Sequence, residues 1–401
     1  MSTHKPHIAI LGAGPTGIEA ALAAVESGHP FTLYEEAPAA AGSMRHWGHV
    51  RLFTPWEMSV SPRVRRRLAA AGVAVPDGSA CPTGAELAEV LARVASLPEI
   101  APHVRYNTRA LAVGREGLLK HEEIASAERA RRPFRLLLEE RSGRETVERA
   151  QVLIDATGTY CRPNSLGDGG IPAAGERSFD REIRREIPDF AHEGSDWAGD
   201  TVLLAGAGHS AQTAVRALAE IARESPRTRV IWALRGVEPS WGTHPGDPLP
   251  ERARLAAAAE ELSRGASPAV EARRGVVIEE IAQPDGQLLV TLRNGSGSEQ
   301  VLVDRILSLT GYVGDASLYR QLQVHECYAT CGPMKLSAAL LGSAGGDCLA
   351  QTTHGVDTLA NPEPGLFILG SKSYGRNNTF LMRVGWEQVG EVFGQLAGAA
   401  V

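Results

Sequence analysis

Cysteine is scarce in this chain of 401 residues, which contains only five. An odd and scattered set of cysteines argues against a disulfide framework and fits a reducing compartment. The chain also has no uncharged run of the roughly 18 to 20 residues that a bilayer-spanning helix needs. Its N-terminus, MSTHKPHIAILGAG, shows neither the apolar stretch nor the cleavage site of a signal peptide. We therefore expect a cytoplasmic protein with no membrane partner.

A strong net charge is missing as well. The 41 basic and 47 acidic residues leave a formal charge of -6, which gives no electrostatic reason to expect a nucleic-acid partner. The twelve histidines include no H-x-x-x-H pattern and the cysteines no C-x-x-C pattern, so no metal site is predicted. At 401 residues the chain exceeds the usual size of one hydrophobic core, and two domains are expected.

The most informative feature is a glycine-rich segment near the N-terminus, HIAILGAGPTGIEAALAAVESGHPFTLYEE. Its pattern predicts a buried strand over residues 7–11, a helix that ends near Ser27 and a second strand over residues 31–34. Glu35 follows that strand, twenty-three residues after Gly12. Strand, glycine loop, helix, strand and acid in this order predict a dinucleotide-binding unit.

Each glycine of this loop has a physical role in such a unit. Gly12 permits the tight turn, Gly14 lets the backbone approach a diphosphate, and Gly17 lets helix and strand pack closely. The start of the helix presents unpaired N–H groups to the phosphates. Glu35 is placed to accept hydrogen bonds from a ribose diol.

A second segment, DTVLLAGAGHSAQTAVRALAEIARESPRTRVIWALRG, repeats the pattern. Gly206 and Gly208 occupy the first two glycine positions, and Ala211 supplies the small third residue. The strand after the helix ends in Arg235 rather than in an acid. An arginine there pairs with a 2′-phosphate, which favours NADPH over NADH, although Arg235 is equally placed to be a solvated strand end.

With these two loops, the chain resembles the two-dinucleotide-binding-domain flavoproteins, which include thioredoxin reductases, flavin-containing monooxygenases and bacillithiol-type disulfide reductases. The resemblance covers most of the chain. It rests on GAGPTG at 12–17, Glu35, DATGT at 155–159, GAGHSA at 206–211, LTGYVGD at 309–315 and the C-terminal GLFILGSKSYGRNNTFLMRVGWEQVG.

The resemblance implies an α/β protein with two Rossmann-like, three-layer dinucleotide-binding domains, in which the NAD(P) domain is inserted into the FAD domain. Residues 1–160 and 315–401 would form the discontinuous FAD domain, and residues 161–314 the inserted NAD(P)H domain. The implied cofactors are FAD and NADPH, and the implied partner is a small-molecule substrate. A homodimer stays open.

The same resemblance assigns the cofactor contacts. For FAD they are Gly12, Gly14, Pro15, Thr16, Gly17, Glu35, Glu36, Arg45, Trp47, Ala156, Thr157, Gly158, Gly370, Ser371 and Thr379. For NADP they are Gly206, Gly208, His209, Ser210, Ala211 and Arg235. A helix is expected to start near Thr379 and to point its N–H groups at the flavin. The family usually has Gly-Asp, whose acid contacts the ribityl chain, whereas this chain has Gly370-Ser371, so that contact is not predicted here.

Three functions are open to such a protein. The one we favour is a monooxygenase, in which NADPH reduces the flavin and a C4a-hydroperoxyflavin oxygenates a small molecule. The second is a thiol or disulfide reductase that uses Cys327 and Cys331, which would share a face if HECYATCGP were helical. The third is a nucleotide-binding protein without turnover.

No catalytic residue is identified by the pattern. The candidates are side chains in the two segments that the resemblance places beside the flavin, namely Arg51, Trp56, Arg376 and Asn378. In the loop after Arg235, Trp241 and His244 are further candidates for contact with substrate or nicotinamide.

Overall fold

The computed structural model describes residues 5–243, 246–342, 349 and 351–398. By internal packing the chain divides into two compact units. The first unit comprises Met1–Arg162 and Val313–Val401, and the inserted unit comprises Pro163–Tyr312.

The described strands and helices follow one another along the chain as two repeats of strand, helix and strand with added β-hairpins. The strands are β1 (Ile8–Leu11), β2 (Phe31–Tyr34), β3 (Val104–Arg105), β4 (Thr108–Arg115), β5 (Phe134–Glu140), β6 (Glu145–Ala150), β7 (Val152–Asp155), β8 (Ile183–Arg184), β9 (Thr201–Ala205), β10 (Arg229–Leu234), β11 (Val270–Arg274), β12 (Val277–Ala282), β13 (Leu288–Asn294), β14 (Gly297–Val303), β15 (Arg305–Ser308) and β16 (Leu366–Ile368). The helices are α1 (Pro15–Ser27), α2 (Gly42–His46), α3 (Trp56–Ser59), α4 (Pro62–Ala70), α5 (Gly84–Ala95), α6 (Ala127–Arg131), α7 (Phe190–Trp197), α8 (His209–Glu224), α9 (Pro250–Ser263), α10 (Met334–Gly342), α11 (Val356–Leu359) and α12 (Met382–Gly398).

The first unit is built on a parallel sheet with strand order β16-β7-β1-β2-β3. Side chains alternate along β1: Ile8 and Ile10 pack in the core on the helical face, whereas Ala9 and Leu11 pack in the second core together with the antiparallel sheet β4-β5-β6. This period of two explains the uninterrupted apolar run of the strand, because both of its faces are buried.

The inserted unit repeats this arrangement. Its parallel sheet has the order β11-β10-β9-β15-β8, and β12-β13-β14 form an antiparallel sheet. Val202 and Leu204 pack with α8 residues such as Leu218, while Leu203 packs in the core that also holds Val290 of β13. Each unit is therefore a three-layer structure of helices, parallel sheet and antiparallel sheet.

The predicted α/β architecture is confirmed, with two three-layer dinucleotide-binding units and one inserted into the other. The assignment of the first unit to FAD and of the inserted unit to NAD(P)H stays a prediction. One element differs from expectation: the last helix begins at Met382 and not near Thr379. The side chain of Asn377 accepts hydrogen bonds from both the amide and the hydroxyl of Thr379, at 3.0 and 2.7 Å, and this turn delays the helix.

Among the helices of the described residues, none combines the length and the apolar character that a membrane span requires.

Candidate cofactor site

The first glycine loop connects β1 to α1 and is shaped by close backbone packing. Gly12 has a φ of 91°, and a Cβ atom there would lie 2.7 Å from the carbonyl oxygen of Ala156. A Cβ atom at Gly17 would lie 1.8 Å from the carbonyl oxygen of Gly12. Around Gly14, in contrast, no atom from beyond its chain neighbours lies within 4 Å of the position of a Cβ atom. The loop is thus closed by protein at Gly12 and Gly17 and open to a ligand at Gly14.

Glu35 lies at the end of β2 and is directed at this loop. Its carboxylate accepts the amide of Ala13 at 2.6 Å and the amide of Ala37 at 2.9 Å. Burial raises the pKa of Glu35, and the two amides oppose that shift. A carboxylate that accepts one amide on each oxygen keeps further acceptor positions, which a ribose diol can use.

A cavity of about 530 Å³ opens over the loop at the carboxyl ends of the parallel strands. This edge of an open α/β sheet is the usual place for a ligand. Most of the predicted FAD contacts line the cavity, namely Gly12, Gly14, Pro15, Thr16, Glu35, Glu36, Trp47, Ala156, Thr157, Gly158, Gly370 and Ser371.

Three predicted FAD residues lie outside the wall of this cavity, all in the described part of the chain. Gly17 packs against the loop backbone. Arg45 forms an ion pair with Glu89 at 2.9 Å, and both side chains are exposed. Thr379 is bonded within its own turn, as described above, and Met382 at the start of α12 lines the cavity in its place.

The candidate catalytic residues are not among those that line the cavity either. Arg51 bonds the carbonyl of Cys81 on the surface. Trp56, only 7% exposed, packs in the core on the helical face of the sheet. Arg376 and Asn378 are exposed. A catalytic role for these four side chains stays a prediction.

The cysteine pair adopts a turn instead of the helix that its spacing allowed. The amide of Cys327 donates to the carbonyl of Gly332 at 2.8 Å, and the amide of Cys331 donates to the carbonyl of Cys327 at 2.7 Å. Cys331 has a φ of 59°, which a helix does not permit. Both thiols are free, and hydrogen bonds from Thr330 hold the pKa of Cys327 below its usual value. Neither residue lines the cavity.

A buried ion pair beside the cavity was not predicted. Lys372 is 2% exposed, and its ammonium lies 2.5 Å from Oδ2 of Asp155 and 3.0 Å from Oγ1 of Thr157. Asp155 ends β7, and Lys372 follows Gly370-Ser371. The only signal in the sequence was an acid inside DATGT and a lysine inside GLFILGSKSYGRNN. The fold alone brings these two segments together.

The second glycine loop, in the inserted unit, has the geometry of the first. Gly206 has a φ of 126°, and a Cβ atom there would lie 2.3 Å from the carbonyl oxygen of Leu309, whereas the surroundings of Gly208 are open to 4 Å. His209 and Ser210 start α8, and Ala211 is fully buried against the loop. Arg235 follows β10 and is exposed. The loop and Arg235 are placed as the dinucleotide pattern expects.

The loop that follows Arg235 contains the two further candidates, Trp241 and His244. Trp241 is buried against Trp232 with ring centroids 5.4 Å apart, and its carbonyl accepts a hydrogen bond from Gln212. It therefore contributes to the core of the inserted unit, and its contact with substrate or nicotinamide stays a prediction. His244 lies outside the described residues.

Comparison with solved structures identifies the fold. The bacillithiol disulfide reductase from Bacillus cereus is 18% identical, with a TM-score of 0.71 and coverage of 98% of this chain and 99% of its own. The ornithine N-hydroxylase from Kutzneria sp. 744, solved with reduced FAD, NADP+ and L-ornithine, is 14% identical, with a TM-score of 0.64 and coverage of 99% and 100%. The thioredoxin reductase from T. acidophilum is 13% identical, with a TM-score of 0.58 and coverage of 99% of both chains.

The chain has the fold of the two-domain dinucleotide-binding flavoproteins. The resemblance inferred from the glycine loops is thereby confirmed at the level of fold. No protein-family model and no curated protein sequence matches the chain. The solved structures include both reductases and a hydroxylase, so the shared fold does not distinguish between these reactions.

Proposed function

We propose that this protein is an FAD-dependent oxidoreductase reduced by NADPH. The residues of the first unit fit FAD: Gly14 leaves room for a diphosphate at the start of α1, and Glu35 has acceptor positions for a ribose diol. In the inserted unit, the open position at Gly208 and the arginine at 235 fit NADPH in the same way.

We further propose that the reaction is the oxygenation of a small molecule at nitrogen, sulfur or carbon. The observation that carries this choice is the chemistry of the cavity wall. Trp47, Leu52, Phe380 and Met382 line the cavity, and Cys161 is the one cysteine among the described residues of its wall. A reductase needs a reactive thiol against the flavin, whereas an oxygenase needs an apolar wall that excludes water.

Two of these apolar residues, Trp47 and Phe380, pack closely against their neighbours. The ring of Trp47 lies so close to Gly84 that a Cβ atom there would come within 2.6 Å of it. Gly84 begins α5, whose capping box pairs Thr83 with Glu86. The ring of Phe380 packs edge-on against Tyr374, with centroids 5.3 Å apart. Bound FAD would accept hydride from NADPH and, once reduced, react with oxygen, while these side chains limit the access of water.

The alternative is a thiol or disulfide reductase that uses Cys327 and Cys331. Its support is the pair of free thiols in one turn and the lowered pKa of Cys327, which increases its thiolate fraction. A second alternative is a nucleotide-binding protein without turnover, since Ser371 stands where the family has an acid.

The proposal is tested by following the flavin of the purified protein. We expect visible flavin bands, roughly at 370 and 450 nm, which bleach anaerobically faster with NADPH than with NADH. On mixing with oxygen, the reduced protein should pass through a transient species with its own absorbance, and hydrogen peroxide should form more slowly than substrate is oxygenated. Cys327→Ser and Cys331→Ser should leave this behaviour unchanged.

Other results would contradict the proposal in distinct ways. The absence of flavin bands would favour nucleotide binding without turnover. A long-wavelength charge-transfer band that disappears in Cys327→Ser, together with direct reoxidation by oxygen, would favour the reductase.

A further inference from the structure

Lys372 and Asp155 form a buried ion pair that the proposed function does not yet use. Both side chains are at most 1% exposed. Taking two charges out of water is costly, and apolar residues of similar volume often stabilise a fold equally well. A buried pair in the wall of a cavity is therefore a candidate for a functional role.

Asp155 accepts hydrogen bonds from two residues that line the cavity, Thr157 and Lys372. Its Oδ1 accepts the amide of Thr157 at 3.1 Å and the hydroxyl of Thr157 at 2.7 Å, and its Oδ2 accepts the ammonium of Lys372. One carboxylate thus fixes the turn after β7 and the turn after β16. An ammonium has three hydrogens, and the two acceptors named for Lys372 use two of them.

The aliphatic part of the Lys372 side chain is closely packed as well. A Cβ atom at Gly314 would lie 2.5 Å from Cγ of Lys372, and the ring of Tyr319 lies 5.1 Å from its ammonium. The lysine lines the cavity together with Thr157. It cannot swing into solvent without disturbing these contacts, so its positive charge stays beside the cavity.

The neighbouring segment links this charge to the glycine loop. Gly370, two residues before Lys372, lies so close to Thr16 of the loop that a Cβ atom there would come within 2.7 Å of its hydroxyl oxygen. Where the family presents the acid of Gly-Asp, this chain has the neutral Ser371 followed by a buried cation. This position therefore has a neutral side chain in place of the acid, and the cation that follows it is paired with Asp155.

We propose that Lys372 is a cofactor-binding residue that supplies positive charge for the diphosphate of a bound dinucleotide, with Asp155 as its positioning residue. This inference rests on the proposed binding of FAD in the first unit. It adds a contact that the glycine loop alone does not supply, because backbone N–H groups carry only partial charge.

The test is a titration of the flavin-free full-length protein with FAD at several salt concentrations. We expect Lys372→Met to raise the Kd for FAD at least about tenfold, the loss typical of one charge-assisted hydrogen bond. Lys372→Arg should retain most of the affinity. The dependence of log Kd on log salt should become shallower in Lys372→Met, since one cation no longer contributes.

A double variant separates charge from packing. Asp155→Asn/Lys372→Met removes both charges and leaves no buried carboxylate unpaired, so thermal unfolding without FAD should stay close to that of the wild type. If Lys372 binds the cofactor, the double variant should bind FAD more weakly than the wild type does, although its fold is as stable. Wild-type affinity in the double variant would overturn the inference and leave the proposed function intact. Failure of the wild type itself to bind FAD would overturn both.

Discussion

Gly12, Gly14 and Gly17 share one loop but have different surroundings. Gly12 and Gly17 are required by neighbouring backbone, as the distances of 2.7 and 1.8 Å from a hypothetical Cβ atom show. Gly14 has a φ of -76° and a ψ of -173°, a conformation open to any residue, and free space beside it. The fold itself therefore does not require glycine at position 14, and the proposed contact with a diphosphate supplies a reason for it.

Gly14→Ala should accordingly separate binding from folding. We expect a protein that unfolds at nearly the wild-type temperature without FAD but binds FAD at least about tenfold more weakly, because the methyl group holds the diphosphate away from the N–H groups of the loop. The matched control is Gly17→Ala, which should lower the free energy of unfolding by more than about 2 kcal/mol. Both are measured by thermal unfolding and FAD titration. Unchanged FAD affinity in Gly14→Ala would contradict the cofactor assignment.

These local features are the part of the site that could be predicted from sequence. The glycines and Glu35 belong to one strand–helix–strand unit of neighbouring residues. Their spacing in the sequence therefore predicts their positions in the structure. Lys372 and Asp155 are 217 residues apart and meet only because β7 and β16 are adjacent in the sheet. The sequence position of Trp56 does not reveal that its ring packs in the core, and its candidate role stays a prediction.

At the level of elements, the segment before β16 joins the small antiparallel sheet to the parallel one. Glu363 accepts hydrogen bonds from Arg115 of β4 at 2.6 Å and from Arg129 of α6 at 2.8 Å, and all three side chains are at most 1% exposed. The amide of Gln323 adds a bond of 2.8 Å. Burial alone would raise the pKa of Glu363, but the bonds from the two arginines outweigh it and the pKa is lowered.

Glu363→Gln should therefore lower the free energy of unfolding by about 3 to 5 kcal/mol at pH 7, since it leaves two buried guanidinium groups without their charge partner. A carboxylate with a lowered pKa stabilises the fold above its ordinary pKa and loses that effect as the pH falls through the lowered value. Below a pH of about 4.5, the wild type should thus lose stability more steeply than the variant. Urea unfolding at several pH values measures this difference.

The control for this prediction is Glu89→Gln, which removes the exposed partner of Arg45. Because an exposed pair contributes little, this variant should lose less than about 1 kcal/mol. Equal losses in the two variants would contradict the structural role assigned to Glu363.

On the scale of the whole molecule, one structural unit occurs twice. Each copy has a β-strand, a glycine loop and a helix, with an antiparallel sheet on the other face of the parallel sheet. The difference that matters lies after the second strand of each copy: Glu35 in the first unit and Arg235 in the inserted unit. An acid suits a ribose diol and an arginine suits a 2′-phosphate, so the same fold can serve two different dinucleotides.

Gly208→Ala tests whether the two loops serve separate steps. Gly208 has a φ of -71° and a ψ of 174° with open surroundings, so alanine is compatible with the fold. We expect FAD content and thermal stability like those of the wild type. Anaerobic bleaching of the flavin should require at least about tenfold more NADPH, because the added methyl group obstructs the diphosphate of NADPH. Reduction by dithionite, which needs no nucleotide site, should be unaffected. Gly206→Ala, with its Cβ atom 2.3 Å from the Leu309 carbonyl, should instead destabilise the inserted unit. Loss of FAD from Gly208→Ala, or NADPH dependence equal to that of the wild type, would contradict the division of the two cofactors between the two units.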